Sequence, residues 1–150
     1  MKRIAFAAAG VVVAAGLTGA AVLPGSAAHE ATTTTRHYVL HQTGSHNVGK
    51  FSFVGTDKIR HAGNVVGFDA ISGRFFPRQE RVIVRVSFAL RGGIIHGRVH
   101  NRPFTPGGPA EFVGRITGGS GKYRGITGVI TARSPGENSK KTFVTLVYTR

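Results

Sequence analysis

The sequence predicts an all-β fold, an eight-stranded antiparallel up-and-down barrel. Three observations lead there. About eight short segments alternate apolar and polar residues with period two, short turn-rich links separate them, and no segment of the mature part carries a helical period. An even number of sequential antiparallel strands can close on itself, which removes exposed sheet edges. With eight strands the interior holds packed side chains or one small ligand.

The first residues form an address rather than part of that fold. Lys2 and Arg3 supply a positive start, and no residue from Ile4 to Leu23 is charged. Pro24 and Gly25 end the run, and Ser26-Ala27-Ala28 places small residues where a signal peptidase cuts. About 20 apolar residues can also span a bilayer, but Gly10, Gly16 and Gly19 weaken a permanent helix. The expectation is a signal peptide over 1–28, a flexible leader over 29–35 and a barrel domain over 36–150. The mature protein is then secreted, with no stable membrane anchor.

The barrel's elements follow in order. Arg36 to Thr43 reads as the first strand, with Gly44 to Gly49 as a polar turn. Lys50 to Thr56 and Val65 to Ile71 are the second and third strands, and Ser72-Gly73 with Phe76-Pro77 marks a longer connection. Arg81 to Leu90 is the clearest strand: Val82, Val84, Val86, Phe88 and Leu90 share one face, Arg85 and Ser87 the other. Gly92-Gly93 turns the chain into Ile94 to His100 as a hairpin. A loop from Pro103 to Pro109 leads to Glu111 to Thr117. Gly118-Gly119-Ser120-Gly121 opens the way to Gly125 to Arg133. A turn over Ser134 to Asn138 precedes the last strand, Thr142 to Thr149.

Composition narrows the chemistry. The chain has no cysteine, which excludes disulfides, a thiol nucleophile and thiolate metal sites. Setting Lys2 and Arg3 aside leaves 18 basic against 6 acidic residues, a balance of +12. Such a surface suits solubility, or non-specific attraction to anionic polymers or nucleic acid. Its basic residues are scattered rather than blocked.

Nucleotide and hydrolase signatures fail on spacing. A phosphate loop ending at Gly121-Lys122 needs glycine at 116 and Ser or Thr at 123, where Ile116 and Tyr123 stand. The third glycine of a dinucleotide fingerprint falls on Arg124. No G-x-S-x-G elbow occurs, and Asp57 and Asp69 are the only aspartates, so a serine triad is not expected. His37 with His41, and His96 with His100, share strand faces. Two such pairs could face each other around a metal or face solvent, and no metal is assigned. No cofactor is expected.

One motif stands out: Thr117-Gly118-Gly119-Ser120-Gly121-Lys122-Tyr123-Arg124-Gly125, with Gly128 and a β run behind it. It resembles the signature of plant dirigent proteins and allene oxide cyclases. Phe53-Val54-Gly55-Thr56-Asp57 resembles their early strand and acidic turn, and Gly63-Asn64-Val65-Val66-Gly67 a strand entry of theirs. Val86-Ser87-Phe88 with Gly97 resembles their central hairpin. The similarity runs from about Tyr38 to Arg150, and the motifs keep the family's order.

The resemblance implies an apolar cavity and a homo-oligomer, dimer or trimer. Family members guide the cyclisation or coupling of reactive small molecules, and similar bacterial barrels catalyse polyketide cyclisations. Holding a flexible substrate in a reactive conformer takes few catalytic groups. The glutamate that allene oxide cyclases carry on their first strand has no counterpart between Arg36 and Thr43. That counts against their particular reaction.

The expected function is therefore a cofactor-independent isomerase or cyclase acting on a small apolar metabolite. A non-catalytic binder of a hydrophobic ligand or an anionic polymer is the alternative. The aromatic and apolar wall candidates are Phe51, Phe53, Phe68, Val84, Val86, Phe88, Phe112, Ile116, Phe143 and Tyr148. Phe53, Phe68, Val86, Phe88, Phe112 and Tyr148 are singled out as ligand contacts. Candidate catalytic groups are Asp57 and Glu111, which sit near motif-like positions, and Arg85, Arg115 and His41 should the polar strand faces line the cavity.

Overall fold

The computed structural model describes residues 31–101, 109–136 and 139–150. Eight strands follow one another: β1 (Thr33–Gly49), β2 (Ser52–His61), β3 (Asn64–Phe76), β4 (Arg81–Leu90), β5 (Gly93–Asn101), β6 (Ala110–Gly119), β7 (Thr127–Ser134) and β8 (Lys141–Thr149). Each pairs antiparallel with the next, and β8 returns to β1, so the sheet is a closed barrel. The expected signal peptide over 1–28, most of the Pro103–Pro109 loop, and Glu137 and Asn138 lie outside the described residues.

The strands run longer than the sequence pattern suggests. Thr33 to Thr35, expected in a flexible leader, pair with Thr149 to Val147; β-branched threonines suit a pleated surface. Gly44 to Gly49, expected as a turn, continues β1 opposite Thr56 to Ser52. Register shifts between Gln42 and Gly44 and between Asn47 and Gly49 let β1 bend without leaving the ladder. Ser72 and Gly73, expected in a connection, pair with Arg85 and Val84 inside β3. The connection proper is a single 3-10 turn at Pro77–Gln79. At the β2–β3 hairpin both Ala62 (φ 47°) and Gly63 (φ 83°) take positive φ, the geometry of a two-residue turn that matches strand twist.

Alternation sorts the side chains, and β4 turns its valine face inward. The tightest packing forms a plug across the lumen: Ile59, Ile95 and Leu146 have no exposure, and Phe88 and Ile130 only 1%. Successive inward residues of a strand step through this plug from one end of the barrel to the other. On β2 the order is His61, Ile59, Asp57; on β4 it is Leu90, Phe88, Val86; on β8 it is Tyr148, Leu146, Val144. The plug thus divides the interior into two compartments.

The TGGSGKY segment shapes one barrel end. It crosses over the β4–β5 hairpin, where the Lys122 N–H donates to the Gly92 carbonyl (2.8 Å) and the Ser120 N–H to the Ile94 carbonyl (2.8 Å). The backbones approach so closely that a Cβ at Gly93 would overlap the Ser120 carbonyl, and one at Gly121 the Gly92 carbonyl. Gly92 and Gly121 also take positive φ, at 96° and 59°. The result is structural: Tyr123 is set into the lumen as a buried side chain, beside Lys122 at the rim.

Candidate functional site

Beyond the plug, toward the end carrying the Gly49–Ser52 and Pro77–Gln79 connections, lies a cavity of about 160 Å³. Its walls are apolar, with Phe53, Val86, Phe88 and Phe112 among them; Thr142, Asp57 and Asp69 are the polar members. Phe53 lies over Gly73, where any Cβ would overlap its ring, so that glycine lets the aromatic lie flat against the wall.

Asp57 on β2 and Asp69 on β3 are direct cross-strand partners with inward side chains. Both are buried, at 9% and 3% exposure. The Asp57 backbone N–H donates to Asp69 Oδ1 at 3.0 Å, while Asp69 Oδ2 is buried with no hydrogen-bond partner among the described residues. Directly opposed residues have Cβ atoms about 5 Å apart, so the two carboxyls compete for ionisation. Burial, reinforced by the neighbouring Asp57 charge, pushes Asp69 up to about 8. Asp57 is also raised by burial, partly offset by hydrogen bonding with Asp69. The pair therefore keeps a proton at neutral pH, as close buried carboxyls do. An unpartnered buried oxygen beside an apolar cavity is a place where a bound molecule's polar atom would be satisfied.

The structure gathers some of the expected site residues and disperses others. Asp57, Phe53, Val86, Phe88 and Phe112 all line this cavity. Tyr148 points inward but beyond the plug, into the other compartment. Arg85, Arg115 and His41, candidates should polar strand faces line the lumen, look outward, and so does Glu111, the candidate from its motif-like position. Arg85, Arg98 and Arg115 form a cross-strand row on the outer surface, and Glu111 meets Arg133 there at 3.8 Å. His41 stands between Lys58 and Lys141 on the outer face. Phe68 is 55% exposed because its inward neighbours are Gly67 and Asp69; Phe51 and Phe143 are exposed too. His37 bonds Thr145 Oγ1 and His96 bonds Ser87 Oγ, each at 3.0 Å on the outside. His100, in register with Ile83, shares His96's outward face. The histidine pairs therefore do not converge in the lumen.

Asp69 is the residue that sequence reasoning missed. A signal was present: the chain's only two aspartates flank the Ala62–Gly63 turn at nearly equal distance, so a hairpin there brings them face to face.

Neither a family model nor a curated protein matches this chain. Solved structures do. A pyocyanin demethylase superposes with a TM-score of 0.60 at 22% identity, covering 77% of this chain and 99% of its own. A pterocarpan synthase dirigent protein superposes at 0.59 with 17% identity, covering 80% and 88%. The chain has the dirigent/allene oxide cyclase-like barrel fold. The expectation drawn from the TGGSGKY motif and its companions holds at the level of architecture. Within this dirigent-like barrel, the closed sheet puts the carboxyl pair on a wall that only a lumen ligand would touch.

Proposed function

We propose that this barrel is exported and that its lumen binds a small, largely apolar metabolite. There it guides isomerisation or cyclisation with Asp57 and Asp69 as the acid–base pair. The observation that carries the reading is the buried carboxyl pair on the wall of an otherwise apolar cavity. Two close carboxyls holding one proton can give it to one atom of a bound molecule and take one from another. A bond shift run this way leaves the pair as it began and requires no electron acceptor. The walls contribute shape and exclude water, which strengthens the hydrogen bond from the protonated carboxyl. The two similar barrels, named as a demethylase and a synthase, support small-molecule chemistry in this architecture.

The test starts with mass spectrometry of the small molecule that co-purifies, followed by turnover of that compound. Asp57→Asn is expected to lower turnover by about a hundredfold or more, the usual contribution of a positioned acid or base. Arg85→Ala and Arg115→Ala, on the outer face, leave it unchanged. Full turnover by Asp57→Asn removes the pair from the mechanism.

The outer arginine row favours a second reading. Arg85 opposes Arg98, which opposes Arg115. Like charges directly across strands are unfavourable unless something anionic screens them. A non-catalytic binder of anionic polymer would then show salt-sensitive binding to a teichoic-type polymer, lost when all three arginines become glutamine.

A further inference from the structure

We propose that the opposite end of the barrel is a second, separate binding site, for a small aromatic carboxylate. The compartment beyond the plug has a volume of about 170 Å³, close to the ~150 Å³ at which an apolar cavity accepts one benzene ring. Tyr38, Tyr123 and Tyr148 line it with His61, and Arg36, Arg91 and Lys122 complete its rim. Its lining holds three cations and no carboxylate, the reverse of the Asp57–Asp69 compartment.

The aromatic walls are already ordered as edge-to-face pairs. Tyr38 and His61 have ring centroids 5.9 Å apart at 66°, and Tyr123 and Tyr148 6.2 Å apart at 86°. A planar ring entering between such pairs meets faces and edges it can pack on. The Tyr38 phenol remains a donor: burial first, then Tyr123 and Tyr148, push its hydroxyl up to about 12. His61 Nδ1 donates to the His37 carbonyl at 2.8 Å, which fixes its ring. Arg36 and Arg91 have no carboxylate partner among the described residues, and guanidinium matches a carboxylate with two parallel hydrogen bonds. The TGGSGKY turn delivers both Tyr123 and Lys122 here, whose ammonium lies 5.0 Å from that ring. The site does not rest on the acid–base role of the carboxyl pair.

Calorimetric titration of the whole chain with benzoate, benzamide and acetate tests the assignment. Benzoate is expected to bind at least about tenfold more tightly than either neutral benzamide or ring-less acetate, since a charged hydrogen-bonded pair contributes more than about 1.4 kcal/mol. Arg36→Gln combined with Arg91→Gln, both exposed positions, should remove that preference without changing the melting temperature. Asp69→Asn should leave it intact. Equal affinity for benzoate and benzamide, no benzoate binding at all, or a preference that survives the double arginine variant overturns the proposal. Loss of binding in Asp69→Asn alone would move the ligand to the other compartment and overturn it equally.

Discussion

Asp69→Asn is expected to raise stability at pH 8 while sharply lowering turnover. Asparagine keeps an oxygen for the Asp57 N–H, the bond now made by Asp69 Oδ1 at 3.0 Å, and removes a charge that burial opposes. The sign follows from proton counts. In the unfolded chain an aspartate titrates near 3.9, whereas folding pushes Asp69 up to about 8. Between those values the folded state binds more protons, so wild-type stability is fullest below about pH 4. It then falls as pH rises, by up to about 1.4 kcal/mol per unit, until about pH 8. The variant lacks this slope. Denaturant unfolding at pH 4.5, 6 and 8 should give curves that coincide at the acid end and separate toward pH 8, with Asp69→Asn the more stable. Parallel curves would mean that the carboxyl is not held protonated. Turnover moves the opposite way, because an amide has no acidic proton to give, and a loss of about a hundredfold or more is expected.

Phe88→Ala is expected to cost about 3–5 kcal/mol, the range for deleting a buried aromatic. Phe88 is 1% exposed, belongs to the plug and also faces the Asp57–Asp69 cavity. For a domain near this size the loss corresponds to a melting temperature lower by about 10–20 °C. Its removal also adds a ring-sized void next to an apolar cavity. Benzene at saturating concentration should therefore restore several degrees in the variant and few in the wild type, by preferential binding to the folded state. Scanning calorimetry with and without benzene reads both effects. A drop of only a few degrees would show that neighbours collapse into the space and that the plug is not rigid.

Much of the fold is legible in the sequence because period-two alternation survives wherever one strand face is solvated. Arg81 to Leu90 shows this cleanly, and its valines do face the lumen. Strand ends were harder to read. Gly44 to Gly49 carries turn-like residues, yet it stays in the ladder opposite Thr56 to Ser52 through two register shifts. The site was half legible. Asp57 came from its place in the Phe53–Asp57 motif, whereas Asp69 sits between Phe68 and Ala70, so local hydrophobicity assigns the wrong face to the interior. A buried acid breaks the pattern that sequence reading relies on, and such breaks are expected where structure gives way to function. Arg85 and Arg115 misled for the converse reason: an alternating strand says which residues share a side but not which side is inward.

The solid layer of Ile59, Ile95, Leu146 and Phe88 also dictates traffic. A molecule bound at the carboxyl pair has this layer behind it, and on the proposed function its product leaves by the path of entry. On that proposed function, release favours products more compact than their precursors, which suits ring closure better than elongation.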